Sequence, residues 1–221
     1  MADEILLIDK PKGITSFDVI RRLRRQCGVR KIGHAGTLDP NATGLLIIGI
    51  GAGTKRLREY LRLPKTYVMD ILLGIRTDSG DIAGHVIATS PCPTLNVGQT
   101  EETLHDMVGM IELPIPAYSA LKYKGKPRYI YARKGIAIEP KLRKMEISSL
   151  TLKNIEEIHY RGLTSIVPSI VLKVEMECAS GTYARSVAEE IGKRLGVPAT
   201  LQDLRRTRIG PFTIEQAQPL L

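Results

Sequence analysis

Residues 33–50, GHAGTLDPNATGLLIIGI, run a loop built on Gly33, Gly36 and Gly44 straight into an apolar stretch. Glycine reaches backbone conformations closed to other residues and lets the main chain approach a neighbour closely. Pro40 pushes the residue before it, Asp39, out of the helical region and into extended backbone. The run LLIIGI at 45–50 has the length and composition of a buried strand, and it is far too short to cross a bilayer. A chain carrying this pair must fold around that strand with a tight, stiff loop leading into it. The loop offers one carboxylate, Asp39.

On either side the pattern alternates between helix and strand. Thr15 and Ser16 offer an N-cap to FDVIRRLRRQC, and Gly28 supplies a stop. Phe17, Ile20 and Leu23 fall on one predicted face, with Arg21, Arg22, Arg24 and Arg25 opposite. A solvated surface and a phosphate-contacting surface account for such a run equally well. KRLREYL reads as a short helix. YVMDILLG at 67–74 and HVIAT at 85–89 read as two strands of a hairpin joined by TDSGDIAG. A helix is predicted from Glu101 to Val108, followed by the Pro-rich passage LPIPAYSALKYKGKP and a tyrosine-rich helix, RYIYARK, that ends at Gly135. KMEISSLTLKNI and IVLKVEMEC read as strands, TYARSVAEEIGKRLG as a helix, and LRRTRIG as a closing basic element. Without regular βαβ alternation, the predicted class is α+β, with a mixed, mostly antiparallel sheet flanked by helices.

Charge narrows the partner. With 32 Lys and Arg against 23 Asp and Glu, the 221-residue chain carries +9, an excess that favours a polyanion such as nucleic acid. Cys27, Cys92 and Cys178 lie far apart in sequence, so neither a zinc site nor a disulfide framework is expected. The opening MADEILLIDK carries acids where a signal peptide would carry bases, which predicts a cytoplasmic protein with no membrane partner. No P-loop, G-x-S-x-G elbow, HEXXH, paired Cys-X-X-Cys or dinucleotide fingerprint occurs. What survives is acid-centred chemistry on a basic surface. Read from residues alone, Asp39 fits a cap on a turn over Pro40–Thr43 better than a catalyst. His34 reads as a hydrogen-bonded loop residue. Arg185 of GTYARS could grip a carboxylate in bidentate fashion or pair with Glu189 at helical spacing.

Six segments, in order, resemble one family. They are DKPKGITS at 9–16, GHAGTLDPNATGLL at 33–46, KTYVMDILLGIRTDSGDIAG at 65–84, IPAYSALKYKGKPRYIYARKG at 115–135, CASGTYARSVAEEIG at 178–192 and LRRTRIGPF at 204–212. Together they are similar to the TruB family of pseudouridine synthases, which isomerise a uridine in the T loop of tRNA. The resemblance implies the pseudouridine synthase fold, with residues 1–221 as a single catalytic domain and an RNA-gripping insertion around 115–140. It implies tRNA, through its T arm, as the partner, and no cofactor and no metal. The chain stops soon after FTIEQAQPLL, where many relatives continue into a PUA domain. A compact bacterial enzyme acting as a monomer without guide RNA is therefore expected.

Carried across by motif, the resemblance makes Asp39 the nucleophile. Tyr67 would stack on the target ring and help in proton transfer, and Arg185 would hold the Asp39 carboxylate. His34 would fill space in the RNA and help turn the base out. Tyr183 and Leu204 would line the pocket, and Lys10 would belong to its basic rim. Two departures touch loop geometry: Asn41 stands where an apolar residue is expected, and Ile115 replaces the first proline of a Pro-Pro pair. Two other readings give different products. An RNA chaperone needs no turnover, and a glycoside hydrolase pairing Asp39 with Asp78 or Asp81 would release a free base.

Overall fold

A computed structural model of the chain describes residues 4–161 and 166–220. Its strands are β1 (Glu4–Lys10), β2 (Ile32–Ala35), β3 (Thr43–Ile50), β4 (Lys65–Leu73), β5 (Ile75–Thr77), β6 (Val86–Thr89), β7 (Gly109–Pro114), β8 (Lys122–Tyr123), β9 (Lys126–Pro127), β10 (Leu142–Arg161), β11 (Ile166–Cys178), β12 (Ala199–Ile209), β13 (Phe212–Thr213) and β14 (Gln218–Pro219). The helices are α1 (Ser16–Cys27), α2 (Leu57–Arg62), α3 (Val97–His105), α4 (Arg128–Ala132) and α5 (Ala184–Arg194). The chain divides into two compact units. One comprises residues 1–68, 177–180 and 204–221, the other residues 69–176 and 181–203.

In the first unit the strand order is β14-β1-β3-β12, with β2 added to β3 and β13 to β12. β1 and β2 run antiparallel to β3, whereas β12 runs parallel to it, pairing Arg205 with Thr43 and Arg206 with Gly44. β3 reads as an unbroken apolar run because both of its faces are covered. Leu46, Ile48 and Ile50 pack with Val19, Ile20 and Leu23 of α1, while Leu45 and Ile47 pack with Leu57, Tyr60 and Ile209. In the second unit β4 from Met69 onward, β11 up to Met176, β10 and β7 follow one another, and α5 buries Val187, Ala188 and Ile191. Antiparallel pairing predominates, and the α+β class is as expected.

The local signals of α1 carry through. Thr15 caps it with a full capping box shared with Asp18, and Gly28 closes it in a left-handed conformation at φ 70°. One face residue differs. Phe17 is 53% exposed and Val19 is fully buried: the buried face runs through Ser16, Val19, Ile20 and Leu23, and Phe17 lies off it with Arg24 over its ring. The predicted hairpin also differs: β6 pairs with β5, not with residues 67–74. Gly74, at φ 91°, breaks the chain between β4 and β5. α3 starts earlier than predicted because the Asn96 side chain accepts from the Gln99 amide and sets the N-terminus there. The element LRRTRIG is the second half of a strand, β12.

Candidate active site

Asp39 sits between β2 and β3 in the first unit, half-buried, on a segment pinned at almost every residue. The Ala42 amide donates to the Asp39 carbonyl, closing a turn with Pro40 at its first central position. Ser16, at the start of α1, donates its hydroxyl to the Leu38 carbonyl and accepts from the Leu38 amide at 2.9 Å. The Pro40 carbonyl accepts from the Gly13 amide at 2.9 Å and from the Lys10 ammonium at 3.2 Å. Arg206 donates to the Gly36 carbonyl at 3.0 Å and to the Leu45 carbonyl at 2.8 Å. The loop thus behaves as a rigid mount. Gly44, at φ 101°, is required where the mount joins β3, since a Cβ there would lie 2.3 Å from the Arg206 carbonyl oxygen.

The charges around Asp39 come from buried cations. Lys10 is completely buried, and its ammonium donates to three carbonyls, those of Pro11, Ile14 and Pro40. Burial pulls its pKa down to about 8 despite the attraction of Asp39. Lys10, expected on a basic rim, is thereby engaged with the backbone of the mount. Lys65 is also buried and donates to the Leu61 and Leu63 carbonyls, its pKa lowered to about 8 by burial and by Arg206. Arg206 also acts electrostatically on Tyr67. The Tyr67 hydroxyl is pushed above the usual tyrosine range, first by burial and in smaller part by Cys178 and Asp39, with Arg206 opposing. His34 on β2 has a buried Nδ1 without a hydrogen-bond partner, and burial together with Arg206 keeps the ring neutral at pH 7. Leu204 is buried on β12 two residues before Arg206, and its carbonyl accepts from Thr43.

One unit therefore gathers Asp39, Tyr67, Lys10, His34 and Leu204. Asp39 is close enough to Lys10 and to Tyr67 to act on both electrostatically. Arg185 and Tyr183 stand in the second unit, where Tyr183 is the N-cap of α5. Arg185 is 5% exposed, donates to the Ser79 and Tyr118 carbonyls at 2.9 Å each, and lies 4.0 Å from Asp81. Asp78 accepts from the His85 amide and Tyr118 hydroxyl, and Asp81 from Ser79 and the Ala83 amide. Both carboxylates close the 77–85 turn, which argues against their pairing with Asp39 as hydrolytic acids. Among the described residues, no cluster of His, Cys, Asp and Glu is arranged to hold a metal, and no helix is long and apolar enough to cross a membrane.

Sequence reasoning missed Arg206, Lys65 and Ser16. The signal for Arg206 was present: strand alternation from Leu204 places position 206 on the same face. Reading LRRTRIG as a basic patch hid it.

A family model described as "TruB family pseudouridylate synthase (N terminal domain)" matches residues 24–184. The chain belongs to the TruB family. It is 40% identical to tRNA pseudouridine synthase B of Endomicrobium trichonymphae over 215 residues, covering 97% of this chain and 88% of that protein. The enzyme of the same name from Desulfotalea psychrophila is 43% identical over 215 residues, 96% of this chain and 84% of the relative. That of Bordetella pertussis is 40% identical over 220 residues, 99% and 85%. Among solved structures, the TruB chain superposes on a Cbf5–Nop10–Gar1 complex with TM-score 0.67 at 24% identity, covering 98% of this chain and 52% of that one. An H/ACA RNP bound to a substrate RNA containing 2′-deoxyuridine gives TM-score 0.65 at 22% identity, covering 98% and 50%. These two share the fold, and the TruB chain spans about half their length.

Proposed function

We propose that this TruB chain isomerises uridine to pseudouridine in the T loop of tRNA, with Asp39 acting at the ribose C1′ of a base turned out of its stack. The observation that carries this is the mount. A half-buried carboxylate, fixed by Ser16, Lys10, Gly13 and Arg206 through the backbone on both sides of it, stands in electrostatic reach of Tyr67. Such preorganisation suits a reaction whose difficulty lies in aiming one charge at one carbon.

The reaction breaks the N1–C1′ bond, rotates the uracil and forms C5–C1′, and the C5 proton leaves as N1 gains one. Nothing is released. Negative charge beside C1′ serves both covalent attack by Asp39 and elimination to a glycal. Turning the base out costs a few kcal/mol of unstacking. Stacking on the Tyr67 ring returns roughly 1–3 kcal/mol, and phosphate contacts supply the rest. In this reading Arg185 holds the Asp39 carboxylate and His34 fills space in the RNA, while Tyr183 and Leu204 line the pocket. Lys10 acts through the mount, and residues 115–140 grip the T arm. The enzyme works in the cytoplasm as a monomer, without guide RNA or cofactor.

The test is to incubate the protein with unmodified tRNA transcript and map pseudouridine. Wild type produces it, and Asp39→Asn produces none while holding tRNA with a Kd within about threefold of wild type, since one uncharged isostere leaves the phosphate contacts intact. Wild-type turnover by Asp39→Asn ends the assignment of the nucleophile. Release of free uracil identifies a glycosidase instead.

A further inference from the structure

In the second unit, Asp78 and residues 117–138 border a cavity of about 250 Å³. Its wall includes Arg128, Asp78 and Tyr118, together with the apolar Ala132, Ile136 and Ile138. Arg128 is 4% exposed. Its Nη2 donates to the Glu139 carbonyl at 3.0 Å, while its buried Nε has no hydrogen-bond partner among the described residues. A guanidinium carries five N–H donors, and burying that charge without matching them costs stability. Asp78, the acid on the same wall, is engaged with the His85 amide at 2.8 Å and the Tyr118 hydroxyl at 3.4 Å. The fold thus keeps a costly cation beside a cavity without satisfying it from within.

The groups on the wall define what the cavity accepts. Arg128 only donates and an ionised Asp78 only accepts, so the matching ligand offers an acceptor edge and an N–H together. A phosphate would satisfy Arg128 but bring its negative charge up against Asp78. A nucleobase offers both kinds of group in one uncharged plane, and its faces suit walls of alanine and isoleucine. The volume lies below that of a drug-sized pocket, as suits a single ring system. Lys122, Lys124, Lys126, Arg133 and Lys134 are exposed nearby in sequence and supply charge for the backbone of the same strand. We propose that this cavity is a second base-binding site, which takes a nucleobase of the tRNA T loop other than the uridine that is isomerised, with Arg128 donating to its edge. The site deepens the function proposed above and rests on it: residues 115–140 read a base as well as gripping phosphates.

A base contact and a phosphate contact differ in their response to salt. Kd for synthetic T-arm hairpins is measured over a range of salt concentrations for wild type and Arg128→Met. Arg128→Met raises Kd on the order of 10-fold, the scale of one base-edge contact, and leaves the slope of log Kobs against log salt unchanged. Loss of a phosphate contact would instead lower that slope by roughly 0.7–0.9. A series of hairpins with one abasic nucleotide, moved through the loop, then locates the base. At one position its removal costs wild type about 10-fold and costs Arg128→Met less than about twofold, as expected when both changes delete the same contact. An unchanged Kd, a slope that falls by the phosphate amount, or equal losses in the two proteins at every position each overturn the inference. Should Arg128→Met not fold, Ala132→Leu, which keeps the guanidinium and narrows the cavity, carries the same measurements with the same outcomes. A wild type that forms no pseudouridine in a tRNA transcript overturns the proposed function itself; an active wild type whose affinity is indifferent to these substitutions overturns only this site.

Discussion

The Lys10 ammonium donates to the Pro40 carbonyl at 3.2 Å, one residue beyond Asp39. The partners of this buried cation are carbonyls, so it fastens the loop while leaving its charge to act on the neighbouring carboxylate. Lys65 repeats the arrangement with the Leu61 and Leu63 carbonyls. The buried positive charge of Lys10 and Lys65 is thus tied into the backbone, where it adds rigidity as well as potential.

That arrangement predicts an unusual pH dependence of stability. Each of the two lysines holds its proton with a pKa of about 8 in the folded protein, against 10.5 as the ordinary value. Between those limits the unfolded chain binds more protons, so this contribution to stability rises with pH through the window and is flat below it. The ceiling is about 1.4 kcal/mol per pH unit for each lysine. Denaturant unfolding of wild type and Lys10→Met should show a stability difference that moves in favour of wild type from pH 8 to pH 10. A difference that stays flat or shrinks means that Lys10 is not a buried, charge-penalised group.

Gly44 and Gly13 make a matched pair for testing the mount. Both have positive φ, at 101° and 87°. A Cβ at Gly44 would lie 2.3 Å from the Arg206 carbonyl oxygen and 2.8 Å from its nitrogen, whereas one at Gly13 would meet nothing within 4 Å. Gly13→Ala should cost about 1 kcal/mol, the conformational penalty alone. Gly44→Ala should cost more than about 3 kcal/mol, because β3 and β12 must separate to admit the methyl group. Equilibrium unfolding of the two variants checks the gap, and similar losses would show that the β3–β12 contact yields.

Helix α1 offers a second comparison. Phe17 is the larger side chain but is 53% exposed, and Val19 is completely buried against β3. Phe17→Ser is expected to change stability by less than about 0.5 kcal/mol, and Val19→Ala to lower it by roughly 2 kcal/mol. Thermal and denaturant unfolding would settle it, the reverse order being incompatible with this helix orientation.

What could be read from the sequence followed from how local each cause was. The α1 caps depend on Thr15, Asp18 and Gly28 alone, and β3 declares itself by composition, so both were legible. The Gly74 break that redirects the hairpin to β5 depends on a backbone angle, which a run of apolar residues does not record. At the site, Asp39 was marked by its loop but supported by the family resemblance. Arg206 and Ser16 were missed for a different reason: their roles are hydrogen bonds to carbonyls many positions away, at Gly36, Leu45 and Leu38. Residue type carries no trace of such a partner. A basic residue was read as a surface residue, because most are.

The arginine run of α1 separates in the same way, and it yields a prediction about RNA. Arg21 is ion-paired with Asp18, and Arg24 donates to the Ile32 carbonyl while stacking on Phe17. Arg22 and Arg25 are exposed. A cation already engaged with the protein releases few counterions when RNA binds, whereas an exposed one that meets a phosphate releases its share. The slope of log Kobs for tRNA against log salt should therefore fall by about 1 to 2 in an Arg22→Ala, Arg25→Ala variant, at roughly 0.7–0.9 per phosphate contact. Arg24→Ala should leave that slope unchanged. If the double variant retains the wild-type slope, this face of α1 is a solvated surface, and the phosphate contacts lie on the 115–140 passage or elsewhere.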